Sequence, residues 1–260
     1  MELGLSGKVA LVTGASRGIG RAIALSFAAE GCDVLVTGRD QAALEETAGE
    51  IRKRGRKAGV SAADLRNPGT EKALVVAVQR EFGRLDILVN NAGATRRGSF
   101  FELTDADWAD GYALKFFGHM RLVRAAWPLL KDRKGSFVSI GGTSGRKPEA
   151  EFTIGSSVNA AVAAFTKCLA DIGKGDGVQV NCVHPSLVET ERQWKRIRAE
   201  VAATGEAEDK VRARFVKKMG FIRYGKVEDV ADLVTFLVSA RSTWMHGATI
   251  DLDGGELGVL

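Results

Sequence analysis

Between Val12 and Arg21 the chain reads Thr13-Gly14-Ala15-Ser16-Arg17-Gly18-Ile19-Gly20. A short apolar run from Lys8 to Val12 leads into it, and an amphipathic stretch from Arg21 to Glu30 leads away. That order predicts a strand, a tight glycine turn and a helix. Each glycine has a task in such a turn: Gly14 permits the reversal, Gly18 lets a phosphate approach the backbone, and Gly20 lets the helix lie close to the strand. Free N–H groups of the turn, at the positive end of the helix dipole, would hold a pyrophosphate. Gly14, Ser16, Arg17, Gly18, Ile19 and Gly20 are therefore the first candidate binding residues.

The rest of the chain repeats this alternation. Apolar runs rich in β-branched residues fall at Val9–Val12, Asp33–Thr37, Lys57–Ser61, Leu85–Asn90, Ser136–Ile140, Gln179–Val183 and Ala248–Leu252, with helical periodicity between them. The expected fold is α/β: a doubly wound, seven-stranded parallel sheet with helices on both faces, of the Rossmann type. With 260 residues, 45% of them hydrophobic, and no linker or repeat, residues 1–260 are expected to form one domain.

Several classes of function find no support. No pair of histidines, cysteines or carboxylates has the spacing of a metal site. Cys32, Cys168 and Cys182 are odd in number and read as reduced core thiols. Met1 to Lys8 lacks the basic and long apolar regions of a leader, and no run approaches the roughly eighteen apolar residues of a membrane helix. A cytoplasmic protein without a membrane partner is the expectation.

The glycine turn is one of five motifs in a characteristic order. The others are Asp64-Leu65, Asn90-Asn91-Ala92-Gly93, Val180-Asn181-Cys182-Val183-His184-Pro185 and Asp251-Leu252-Asp253-Gly254-Gly255. Over its full length the chain resembles the short-chain dehydrogenase/reductase family. The resemblance implies a dinucleotide cofactor, with Asp64 and Leu65 beside the adenine and Asn91, Ala92 and Gly93 along the central strand next to it. It also implies that Pro185, the Val188 backbone and the Thr190 hydroxyl meet the carboxamide. Members that use NAD carry an acid at the end of the second strand. Here Gly38 stands there and Arg39 follows, so Arg39 and Arg17 are expected to favour a 2′-phosphate, hence NADP(H) over NAD(H).

The chain departs from the family where the chemistry is done. Active members resemble one another in an asparagine, a serine, and a tyrosine and lysine spaced Tyr-x-x-x-Lys. Local anchors put Lys115, Gly142, Gly155 and Asn159 at these positions, and the chain's only tyrosines are Tyr112 and Tyr224. The family's usual proton relay is then absent. The two glycines would leave a wider pocket or let a neighbour such as Phe152 move in. Lys115 and Asn159 look like an exchange, with the Lys115 ammonium returned to the nicotinamide ribose and Asn159 hydrogen-bonding nearby; the plainer reading lets Lys115 reach solvent along its methylene stem. His184, in a loop beside the nicotinamide, is the other candidate acid. His119 reads as a core or interface residue and His246 as structural.

Between Glu191 and Lys218 nine basic residues face five acids. The resemblance makes this segment, about 190–220, a lid, and its charge suits an anionic small-molecule substrate, although a solvated face explains the same residues. Aromatic residues are too sparse among them for a nucleic-acid surface. The family's dimers and tetramers suggest a homo-oligomer through Asp107–Lys131 and Thr153–Gly173. Three functions follow: an NADP(H)-dependent oxidoreductase on a carbonyl or alcohol with rearranged acid/base groups, a catalytically silent cofactor-binding subunit or sensor beside an active relative, and a lyase using a Lys115 Schiff base.

Overall fold

The computed structural model describes residues 2–258. Strands β1 (Val9–Thr13), β2 (Asp33–Gly38), β3 (Ala58–Ala62), β4 (Ile87–Asn90), β5 (Ser136–Ile140), β6 (Gln179–Pro185) and β7 (Thr249–Leu252) form one sheet. Their order is β3-β2-β1-β4-β5-β6-β7, and all pairs are parallel. Each strand starts and ends within two residues of its expected range.

Alternation along the strands builds two cores. Ala10, Val12, Val34, Val36, Ile87 and Val89 face helices α1 (Gly18–Ala29), α2 (Gln41–Lys53) and α9 (Val227–Leu237). Leu11, Leu35, Leu88 and Phe137 face α3 (Thr70–Phe82), α5 (His119–Arg133) and α6 (Thr153–Asp176) on the other side. A central strand of a parallel sheet is covered on both faces, which is why β4 is buried at every position.

The long helix expected at Asp107–Lys131 is α4 (Asp105–Tyr112) and α5 joined by a π-helical stretch, Ala113–Gly118, with helical backbone at both junctions. Lys115 sits in that stretch, where the wider turn sets its side-chain direction. The segment expected to form a lid comprises α7 (Glu191–Thr204) and α8 (Glu208–Met219). Among the described residues no helix is long and apolar enough to cross a membrane. Cys32 and Cys182 are core residues as expected, but Cys168 is not: it stands exposed on the outer face of α6.

Candidate active site

The order of strands reverses between β1 and β4, and the connections leaving these two strands part to form a crevice at their carboxyl ends. The residues predicted for the site gather here. Thr13 ties the two loops together: its hydroxyl accepts from the N–H groups of Asn91 at 2.9 Å and Ala92 at 3.0 Å. The Asn91 amide returns a bond to the Thr13 carbonyl at 2.9 Å.

The glycine turn is as tight as its sequence requires. A Cβ on Gly20 would stand 2.3 Å from the Gly14 carbonyl oxygen, and Gly14 and Gly18 have φ of 66° and 57°. No side chain caps the start of α1, so its first N–H groups, flanked by Ser16, Arg17 and Ile19, open on the crevice. Beside the turn, a Cβ on Gly38 would lie 3.7 Å from the Ser16 hydroxyl oxygen, in the space where an acidic side chain would project. Arg17 and Arg39 are both exposed.

Asp64, expected beside an adenine, accepts from the Arg66 N–H at 3.0 Å and from its guanidinium at 3.2 Å. Burial raises the Asp64 carboxyl, and the Arg66 bonds outweigh it, so the group is held below the usual carboxylate range. Leu65 is buried in the core, with its carbonyl held by Arg121 at 2.8 Å. His119 is a core residue, as expected. Its Nε2 bonds the Ala92 carbonyl oxygen at 2.7 Å, and burial pushes its pKa down to about 3.

Lys115 does not run to solvent. Its stem packs on Gly93, where a Cβ would lie 3.0 Å from Lys115 Cδ, and its ammonium donates to the Gly141 carbonyl at 2.9 Å. The amine is ringed by protein. Desolvation, then the nearby Arg192 charge, lower its pKa to about 8. Asn159 faces the same region without bonding Lys115: its amide donates to Ser144 Oγ at 2.9 Å, and its buried Oδ1 has no partner.

His184 corrects the sequence reading. It lies in β6 rather than in a loop, fully buried beneath Gly141, where a Cβ would stand 2.8 Å from its Nε2. Burial, then the Lys115 charge, push the imidazole down to about 4, so it is neutral at neutral pH and has no proton to spare as an acid. Pro185 likewise ends β6. His246 is structural, bonding the Ala170 carbonyl oxygen at 2.6 Å.

The space at Gly155 is filled. Phe152 lies so close that a Cβ on Gly155 would be 2.1 Å from its Cζ, and the Arg97 guanidinium covers the ring at 4.0 Å. At Gly142 a Cβ would meet the Asn159 amide nitrogen at 2.7 Å. Across the crevice, Val188 pairs in register with Gly225 through its neighbours' backbone groups, so its own N–H and C=O face the other way. Thr190 caps α7 and brings its methyl within 3.4 Å of the Cβ position of Gly18, placing the start of α7 against the glycine turn.

Three contributors were not legible beforehand. Arg192 reaches from α7 to the Gly93 carbonyl at 2.5 Å. Arg97 arrives from the loop after β4. Glu256, beyond β7, bonds Thr143 across 113 residues of sequence. Contacts from irregular segments follow no periodicity, and only the Asp-Gly-Gly motif just before Glu256 marked that stretch at all.

A doubly wound sheet with one crevice at its switch point, lined by a glycine turn and a strand-end asparagine loop, defines a Rossmann-type α/β protein. This chain belongs to the short-chain dehydrogenase family, whose model matches residues 8–201. It is 35% identical over 253 residues to an uncharacterized oxidoreductase of Mycobacterium tuberculosis, covering 96% of this chain and 92% of the relative. It is 31% identical over 257 residues to the 3-oxoacyl-acyl-carrier-protein reductase FabG of Escherichia coli, covering 97% and 98%. Among solved structures, L-sorbose reductase from Gluconobacter frateurii, complexed with NADPH and L-sorbose, superposes over 100% of both chains with a TM-score of 0.97 at 32% identity.

Proposed function

We propose that this protein is an NADP(H)-dependent oxidoreductase acting on a carbonyl or alcohol, with the family's usual acid/base residues replaced by Lys115, Gly142, Gly155 and Asn159. The observation that carries the cofactor reading is the glycine cradle, in which a Cβ on Gly20 would strike the Gly14 carbonyl. Such closeness leaves the uncapped N–H groups of α1 free for a pyrophosphate. The side-chain-free space at Gly38 beside Ser16, with Arg39 next in sequence and Arg17 in the glycine turn, suits a 2′-phosphate. Asp64 and Leu65 border the adenine, Asn91, Ala92 and Gly93 form the wall, and Pro185, Val188 and Thr190 the carboxamide end. Asn159 Oδ1, buried without a partner, is ready to accept from a ribose hydroxyl, and the Lys115 ammonium stands on the same side. The complexes of similar enzymes with NADPH or NADP add support.

The bound cofactor would supply the hydride. The chain's own part is to place the carbonyl and provide a proton, and losing a positioned acid forfeits about 10²–10⁴-fold in rate, or roughly 3–5 kcal/mol of barrier. An anionic group on the substrate suits the lid. Arg198, Arg212 and Arg214 are paired with carboxylates, whereas among the described residues Arg192 and Arg196, one helical turn apart on α7, have none within ion-pair distance. The same helices expected to pair copies of the chain, α4 to α5 and α6, make a cytoplasmic homo-oligomer the natural assembly.

Fluorescence titration tests the cofactor reading. NADPH should bind more tightly than NADH, and Arg17→Ala or Arg39→Ala should each weaken NADPH about tenfold, from about 1.5 kcal/mol per charged bond, while leaving NADH unchanged. Equal binding of both cofactors by the parent protein would refute the preference. The second reading, a silent subunit or sensor, is favoured by the Phe152 ring in the space at Gly155. It fails if the purified protein alone oxidises NADPH stoichiometrically with any ketone of a panel. The desolvated Lys115 amine is what favours the lyase, and borohydride trapping of a carbonyl compound on Lys115 would be its signature.

A further inference from the structure

Three neighbouring strands each deliver one polar side chain to the same point. Thr143 follows β5, Ser186 follows β6, and Glu256 follows β7. The Glu256 carboxylate oxygen Oε2 accepts from the Thr143 hydroxyl at 3.1 Å and from the Ser186 hydroxyl, and Oε1 lies 3.9 Å from the Lys147 ammonium. Its side chain is only 6% exposed. Thr143 directly follows Gly142, and Ser186 directly follows Pro185, two positions expected to flank the cofactor's reactive end.

In its protonated form, a buried carboxyl beside two hydroxyls can pass its proton to one of them, the Thr143 hydroxyl turning from donor to acceptor as it does so. Tyrosine is absent from this part of the chain, His184 is buried and neutral, and an alcohol alone is a poor acid. A carboxyl group hydrogen-bonded to an alcohol removes that difficulty, because the alcohol gives up its proton while taking another. We propose that Glu256 is the proton source of the site, acting through the Thr143 hydroxyl, with Ser186 fixing the carboxyl's orientation. The proposal rests on the oxidoreductase reading above.

The step balances as follows. The carbonyl carbon takes the hydride that the bound cofactor supplies and is reduced, the cofactor is oxidised, and the π electron pair moves to the carbonyl oxygen. That oxygen takes the Thr143 Oγ proton, Thr143 Oγ takes the proton of the Glu256 carboxyl, and solvent reprotonates Glu256 before the next turnover. Oxidation of an alcohol runs the same path backwards with Glu256 as the base. The titratable groups on the elements packed around it are Lys147 and Arg146 between β5 and α6, His184 on β6, Asp251 on β7, paired with Arg146 at 2.9 Å, and Asp253 on its own tail.

A tail anchor and a proton source separate in Glu256→Gln. The glutamine oxygen still accepts from both hydroxyls, so the anchor survives while the transferable proton is lost. Wild type, Glu256→Gln, Glu256→Asp and Thr143→Val are compared by NADPH binding, melting temperature and the pH profile of kcat with a panel of aliphatic ketones, α-keto acids and ketoses. We expect Glu256→Gln to bind NADPH and melt as wild type does, to lose about 10²-fold or more in kcat, and to lose one ionisation from the profile. Glu256→Asp should restore that ionisation in part, and Thr143→Val combined with Glu256→Gln should cost no more than either alone. A Glu256→Gln protein that turns over within about threefold of wild type, with an unchanged profile, overturns the proposal. A wild-type protein that binds NADPH but reduces no ketone overturns the oxidoreductase reading itself, and this role with it.

Discussion

Lys115 shows how a single side chain takes its chemistry from its surroundings. An amine that titrates at 10.5 in water is brought to about 8 by desolvation in the crevice wall. Between these two values the unfolded chain still holds the proton that the folded chain has released, so stability rises with pH across that window. Measured without cofactor, wild type should therefore melt lower relative to Lys115→Met at pH 7 and gain on it as pH rises through about 8 toward 10. A difference between the two melting temperatures that stays flat over that range would mean that the amine keeps its ordinary affinity for protons. The sequence marked Lys115 as out of place among its family but not which way it points. The Gly141 carbonyl that captures its ammonium lies 26 residues away at the end of another strand.

At the scale of elements, legibility follows periodicity. The strands were readable because β-branched runs bounded by turns admit few alternatives, and the glycine turn because a Cβ at Gly20 has nowhere to go. The π-helical stretch at Ala113–Gly118 was not, since an apolar pattern wide enough for an α-helix accommodates one wider turn without a visible break. Nor was the position of His184, which the family resemblance put in a loop; it lies within β6, which ends at Pro185. The first turn of α6 offers a test of the local packing. Gly155→Ala forces the Phe152 ring out from under Arg97 and should cost about 1–3 kcal/mol of stability. Phe152→Ala in the same chain should remove most of that added cost, because the obstacle is a ring and not backbone. Chemical denaturation of the two single variants and the double variant measures the coupling, and strict additivity would show that the two residues do not compete for one space.

For the whole molecule, the long helices carry apolar surface that a lone copy would leave wet. Phe117 is 45% exposed where the π stretch meets α5, and Ile172 is 55% exposed on α6. These are the two helical segments expected to join copies of the chain, and burying such side chains favours association. Analytical ultracentrifugation should find a dimer or tetramer, and Phe117→Glu with Ile172→Glu should shift it toward monomer; a wild-type monomer at micromolar concentration would refute this assembly. The distribution of sulfur supplies an independent way to watch it. Cys32 and Cys182 are enclosed, with burial pushing both thiols up to about 12, while Cys168 stands in solvent one helical turn from Ile172. A maleimide dye would therefore label the unaltered protein at one position, and its brightness on dilution would report whether that side of α6 faces water or another copy of the chain.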